Sequence, residues 1–430
     1  MRESTAPNPG DTRRASRLSP DFWKFLVGQT VSSLGSSFTV FALPLLVFKL
    51  TGSALSLAYV TAAEYLPYLL FGLIIGAGVD RVDRRRLMIS VDTVQALVIF
   101  SIPLLAMLDL LSLWWVYAVG FVSSTLWVCF NTAEFAALPS LVSKDDLVAA
   151  NGRLQASYSA ATVAGPLLAG LLMALVPVYT VLVLDAFSFL VSVLCLTLIR
   201  SSFNADSPGR RESGSLRRDI GEGLGCVLGH PVLRSVAIMM ALVNCVGFTV
   251  YAQLVLFAKE RLGATDSQVG FLYAAGSVGM IALALAADPL RRRLPFSKVA
   301  LGTLMLGGVA IVALASTRWY WGALVLWALI WGLVILVQIN SNSLWQTIVP
   351  DRLLGRVQGV ISVLSWSAIP LGAFVGGVAI EQTQQVALVY GVIGAAIFLI
   401  GLLFSFTALG RAEQYLPAQQ PTERWDPTER

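Results

Sequence analysis

Residues Gly76–Met88 read GAGVDRVDRRRLM. Six of the seven residues from Asp80 to Arg86 are charged. The stretch before it, 55–79, carries one charge, Glu64, and the stretch after it, 87–108, carries one, Asp92. Each flank is long enough, at roughly 20 residues, to cross the apolar core of a bilayer as a helix. The quoted stretch therefore reads as a turn between two spans, held at a membrane surface by its charge.

The same alternation runs through all 430 residues. The chain is 56% hydrophobic and 13% charged, against about 25% charged in soluble domains. That excludes a soluble globular protein. Short alternating segments of a membrane β-barrel are absent. The reading is an all-α membrane protein of twelve transmembrane helices, at about 23–48, 55–79, 87–108, 113–133, 148–175, 178–200, 231–258, 267–288, 298–316, 319–340, 355–379 and 383–409. The expected division is a disordered N-terminus (1–20), a six-helix bundle (21–200), a polar central loop (201–230), a second six-helix bundle (231–410) and a tail (411–430).

Charge orients these spans. Of the 30 lysines and arginines, only Lys49, Lys259, Arg261 and Arg318 fall in turns on the side opposite the termini. Such asymmetry places both termini and the central loop in the cytoplasm, with the chain multi-pass in the inner (plasma) membrane. The net charge of +5 follows from the same bias. It suits anionic lipid and requires no nucleic acid. Trp114, Trp115 and Tyr117, and again Trp319, Tyr320 and Trp321, sit where interfacial aromatics belong.

The two halves repeat. Those aromatic clusters lie about 205 positions apart, and Pro166 and Pro370 about 204. Duplicated helical units place a substrate site between the halves near the midplane. Four cysteines, Cys129, Cys195, Cys226 and Cys245, show no metal or redox spacing. With His230 the one histidine, neither a multi-histidine metal site nor a Ser/His/Asp triad is expected. No phosphate-binding G-x-x-x-x-G-K-[ST] occurs, so direct ATP drive is not expected. The chain does not read as an enzyme, no cofactor is expected, and a monomer suffices for this architecture.

The opening stretch and the twelve-span plan together resemble the major facilitator superfamily. Its loop motif between helices two and three reads G-x-L-a-D-r-x-G-r-k-x-x-l. Gly76, Asp80, Arg81, Arg84 and Arg85 match it, while Gly78 stands in place of Leu and Asp83 in place of the second Gly. The resemblance implies an inner latch. In it, Asp80 interacts with the positive N-terminal end of helix eleven near Gly355 and with nearby arginines, stabilising an outward-open state. A second motif, G-x8-G-x3-G-P-x2-G-G, is associated in this superfamily with antiporters. Helix five follows it in small-residue form, with Gly152, Ala161, Gly165, Pro166, Ala169 and Gly170. Small residues let a neighbouring helix approach closely, and Pro166 bends the helix. Segments such as FNTAEFAALPSLVSKDDLVAANGRL and LDAFSFLVSV resemble the macrolide-efflux and enterobactin-exporter branch of drug:proton antiporters. The arginine that other branches carry in helix four is absent from VYAVGFVSSTLWVCFNTAEF, so a proton relay through it is not carried over.

Charges inside apolar spans are costly and mark candidates for function. Glu64 in helix two is the preferred proton-coupling residue. Asp185 in helix six is a weaker candidate, and Asp92 and Glu134 lie nearer the inner ends of their helices. Asp109, Asp266 and Glu381 read as solvated turn residues. In the fold implied by the resemblance, helices one, four, seven and ten line the cavity. Their polar and aromatic midsections give Gln29, Ser33 and Ser36; Trp127 and Asn131; Asn244, Tyr251 and Gln253; and Trp331 and Gln338. The expected function is export of a small amphipathic compound, drug, antibiotic or siderophore-like, by alternating access in exchange for protons. The alternatives are a nutrient importer or symporter of the same fold, and a non-transporting membrane protein.

Overall fold

The structure is a computed structural model. It describes residues 18–79, 82–143, 146–201, 203, 216–293, 295–350 and 353–415. Among them, twelve helices are long and apolar enough to cross a membrane. Six precede residue 200: α1 (Pro20–Thr51), α2 (Ala54–Val79), α3 (Arg84–Met107), α4 (Leu113–Leu141), α5 (Leu147–Met173) and α6 (Val178–Leu198). After the amphipathic α7 (Leu216–Gly229) come α8 (Pro231–Ala252), the short α9 (Leu254–Leu256), α10 (Asp266–Arg293), α11 (Phe296–Ser316), α12 (Tyr320–Ile348), α13 (Leu354–Trp366), α14 (Ala368–Thr383) and α15 (Val386–Ser405). An even number of crossings brings both ends of the helical array to one face, here the termini face; the other is the far face.

Local chemistry sets the helix ends. The Ser19 hydroxyl accepts from Phe22 N, Pro20 opens α1, and Gly52 closes it at φ +62. A left-handed closing residue is cheapest as glycine. In the opening stretch, Asp83 caps α3 by accepting from Arg86 N at 2.9 Å. Arg85 donates to the carbonyls of Leu196 at 2.9 Å and Thr197 at 2.7 Å. Those carbonyls belong to the last turn of α6, which has no helical donor left. Arg84 donates to Ala136 O of α4 at 2.9 Å. The charge between the two spans therefore ties α3 to the ends of its neighbours.

Packing follows a repeated plan. In the first half α1 lies along α6 and α5, and α2 along α4; in the second α8 lies along α15 and α14, and α10 along α12. The halves meet mainly through α2 on α14 and α5 on α10, the same pair of elements exchanged by the repeat. Large side chains such as Leu97 (65% exposed), Phe187 (63%) and Leu285 (77%) face outward. In hydrocarbon that costs nothing, so association rests on close packing and not on escape from water. Gly372 shows how close it is. A Cβ there would stand 1.7 Å from the Cys245 carbonyl oxygen of α8. Gly372→Val is expected to cost about 1–3 kcal/mol through forced separation of α8 and α14, read as a lowered Tm in detergent. An unchanged Tm would refute the close approach.

Three elements differ from the sequence expectation. Helix seven, read as one span over 231–258, breaks at Gln253 and continues through α9 into a wide turn at Phe257–Arg261. Helix eleven breaks between α13 and α14 at Ser367. Pro370 has no N–H to offer the carbonyl of Trp366, four residues back. The stretch expected as a central loop contains α7, whose Val227 is fully buried and which packs on α13. There Glu222 pairs with Arg356.

Candidate functional site

A cavity of about 560 Å³ opens between the halves and into the first one. Six sequence candidates line it: Ser36, Trp127, Asn244, Tyr251, Trp331 and Gln338, together with Glu64 and Asp185. Among the described lining residues there is no lysine, arginine or histidine; Glu64 and Asp185 are the only charged groups.

The wall is a run of aromatic rings that crosses from one half to the other. Trp127 of α4 lies 5.6 Å from Tyr68 of α2, and Tyr68 lies 5.4 Å from Trp366 of α13. Tyr65 meets Phe248 of α8 at 4.9 Å, Phe248 meets Tyr251 at 5.3 Å, and Tyr251 meets Trp331 of α12 at 5.4 Å. Rings in edge-to-face and tilted pairs hold each other's orientation and offer flat faces to a guest. Sequence reasoning missed Tyr65, Tyr68, Phe248 and Trp366. The segment EYLPY carries a weak signal: an acid followed by two tyrosines, Tyr68 lying four residues after Glu64 and three after Tyr65.

The two candidate carboxylates differ. Asp185 is 1% exposed and accepts from Thr39 Oγ1 of α1 and, at 3.2 Å, from Ser188 Oγ. Asp185, the weaker coupling candidate, nevertheless lines the cavity. Glu64 offers only its backbone carbonyl, to Ser124 Oγ; among the described residues its carboxylate has no hydrogen bond or ion pair. Asp92 (2% exposed) and Glu134 (6%) are buried within the first half, outside the cavity lining. Glu134 accepts from the Tyr158 hydroxyl.

Four cavity candidates stand elsewhere. Gln29 is buried and donates to Ser192 Oγ of α6 at 3.3 Å, because α1 packs flat on α6 where Gly28 meets Cys195. Ser33 gives its carbonyl to Ser37. Asn131 is exposed one turn beyond Trp127 and does not line the cavity. Gln253 is fully buried at the seam between halves, donating to Ala54 O at 2.8 Å.

The helix-five residues divide between two neighbours. A Cβ on Gly165 would stand 2.2 Å from Ser37 Cβ of α1. One on Gly170 would stand 3.0 Å from Gly270 Cα of α10. Ala161 is buried and Pro166 lies within the helix, its carbonyl facing Gly270. Gly152, near the termini face, meets nothing within 4 Å. Of the loop motif, Gly76 lies in α2, Arg84 and Arg85 bind carbonyls of the first half, and Asp80 and Arg81 fall outside the described residues.

Toward the far face the seam is closed. Asp266, at the start of α10, pairs with Lys49 of α1 and with Lys259 at 2.5 Å. Glu381 of α14 accepts from Ser53 Oγ at 3.0 Å and Leu55 N at 3.3 Å, at the start of α2. Burial and the neighbouring Glu381 carboxylate push Glu260 above the usual carboxylate range. Asp266 and Glu381, expected as solvated turn residues, are thus cross-links between halves. Their turns meet only in the folded chain. Asp266→Asn is expected to raise far-face labelling of a Ser53→Cys reporter roughly two- to five-fold, the worth of a partly exposed ion pair. Unchanged labelling would show that the pair does not hold the seam.

The profile described as Major Facilitator Superfamily matches residues 25–373. The multidrug efflux pump Tap of Mycolicibacterium fortuitum is 29% identical over 363 residues, covering 82% of this chain and 87% of Tap. Macrolide efflux protein A of Streptococcus pyogenes is 24% identical over 260 residues, covering 60% and 64%. A bacterial homologue of the iron transporter ferroportin, solved in an inward-facing state, superposes with TM-score 0.71 at 18% identity, covering 89% of this chain and 97% of that one. Its outward-facing state gives 0.57 at the same identity, covering 90% and 98%.

Proposed function

The chain belongs to the major facilitator superfamily, a family of membrane transporters and not of enzymes, and we propose that it exports a small amphipathic compound in exchange for protons. The observation that carries this reading is Glu64: a carboxylate with no partner among the described residues, on a cavity walled by aromatic rings and lined by no basic residue among them. An ionised carboxylate is far more expensive in such a place than a protonated one. A transporter can use that difference by returning a proton through Glu64 as the compound leaves.

The aromatic wall suits a bulky, largely apolar guest bound by area and stacking. The names of Tap and macrolide efflux protein A support export of an antibiotic-like compound. The charge bias along the sequence supports the termini face as cytoplasmic, in the inner membrane of a bacterium. With that orientation, the closed far-face seam and the open surroundings of Gly152 and Gly72 support an inward-facing state. Alternating access then requires the seam at Asp266, Glu381 and Gly270 to open. The latch that the resemblance implies, Asp80 with its nearby arginines against the start of helix eleven, closes the other side.

The test is extrusion of a fluorescent amphipathic dye from cells carrying the protein, with and without a protonophore. Extrusion that stops with the protonophore supports the exchange. Extrusion that survives it rejects proton coupling, and dye accumulation in its place reverses the direction.

A further inference from the structure

A second, smaller hollow of about 80 Å³ lies inside the second half, bounded by α8, α11, α12 and α15. None of its described lining residues carries a charge or an aromatic ring. The Thr303 hydroxyl is spent within its own helix, on Val299 O at 2.6 Å and Ala300 O at 3.0 Å. The remaining polar side chains are Asn244 and Gln338, and both also line the central cavity. The two hollows meet at these amides.

Of the lining residues only Val334 and Gln338 are exposed. They lie three and seven residues after Trp331, which lines the central cavity, and residues so spaced share one face of a helix. The hollow therefore opens to the cavity. On α11 the lining residues Thr303, Leu304, Gly307 and Ile311 form one face, and the exposed Gly302, Leu306 and Val309 form another, toward lipid. A Cβ on Gly307 would meet nothing within 4 Å, so the wall is unfilled at that position.

The central cavity offers flat rings and carboxylates. The side hollow offers apolar side chains without rings, behind a mouth of two amides. An apolar void stays dry and accepts an apolar guest. At about 80 Å³ it has room for roughly five to eight water-sized groups, the bulk of a short alkyl chain. We propose that it binds a saturated hydrocarbon substituent of the transported compound, whose flat or charged part stays among the rings of the central cavity. Resting on the export reading, this site sets a length limit on the compound's tail. A lipid acyl chain suits it less, because the lipid-facing side of α11 is not the side that lines it.

The test is binding of methyl- and butyltriphenylphosphonium to full-length purified protein, read by quenching of tryptophan fluorescence. The head is the same aromatic cation and only the chain differs. The wild type is expected to bind the butyl compound at least roughly tenfold tighter, since each buried methylene is worth about fourfold. Gly307→Ile, whose side chain fills the hollow, is expected to abolish that gain and leave methyl binding as it was. Gly302→Ile, on the lipid side of the same helix, where a Cβ also meets nothing within 4 Å, is expected to keep the gain. Gly307→Ala is expected to lose part of it and keeps the test valid where Gly307→Ile fails to fold. No gain in the wild type, a gain unchanged in both Gly307 variants, or one lost equally in Gly302→Ile overturns the proposal. A gain that emerges only after bound lipid is stripped assigns the hollow to an acyl chain and overturns it too. Dye extrusion stopped by the protonophore would stand in each of these cases, so the two failures are told apart.

Discussion

Glu64→Gln is expected to abolish uphill, proton-driven extrusion while leaving downhill exchange of labelled against unlabelled dye. The amide keeps the volume and polarity of the protonated acid but can never ionise. The halves can still rock around a loaded cavity, but no proton crosses in return. Each proton moved down a 100 mV potential carries about 2.3 kcal/mol, which sustains roughly a fifty-fold concentration ratio. The variant should lose that ratio entirely, so steady-state dye gradients should collapse to the leak level. The check is a pair of assays on the same vesicles: accumulation driven by an imposed gradient, and counterflow without one. Loss of both would point to a structural role for Glu64. Retention of gradient-driven accumulation would remove it as the coupling group and turn attention to Asp185.

Gly270→Leu is expected to spring the far-face seam. A Cβ on Gly270 would stand 2.4 Å from Gly170 Cα and 3.2 Å from Pro166 O. These are backbone atoms and cannot swing aside. The two helices must separate, at a cost of about 1–3 kcal/mol in the closed-seam state. The state with an open seam does not bear this cost, so the population ratio should move toward it by roughly five- to a hundred-fold. Distances between spin labels on the far-face ends of α5 and α10 should lengthen, and dye export should fall because the return step is blocked. An unchanged distance distribution would mean that the α5–α10 crossing is not a moving seam. Gly152→Leu is the control: that position meets nothing within 4 Å, and the distances should stay as they are.

Part of the site is legible in the amino-acid sequence. Glu64 and Asp185 stand out because each is a charge in an apolar run, and the cost of that placement is local. Trp127, Tyr251 and Trp331 follow from the expected roles of helices four, seven and ten. Tyr65, Tyr68, Phe248 and Trp366 do not. An aromatic ring on a membrane helix is equally stable against lipid, in a packed contact or on a cavity, so its type and spacing say nothing about which it faces. Gln29 and Gln253 fail the other way. Both are polar residues in apolar stretches, but each finds its partner on a neighbouring helix, Ser192 and the Ala54 carbonyl.

The list of spans and the repeat between the halves need nothing beyond the order of residues. Each apolar segment is tested against hydrocarbon independently of the others, so composition along the chain suffices. The opening stretch announces a surface turn for the same reason. Which faces meet is a different matter, settled by the folded arrangement alone. The crossing of Gly170 on Gly270, the reach of Asp266 to Lys49, and the hollow that joins Gly307 to Gln338 each depend on how closely two distant helices approach. In lipid, every side of an apolar helix is equally solvated, and only the fit of one surface to another chooses among them.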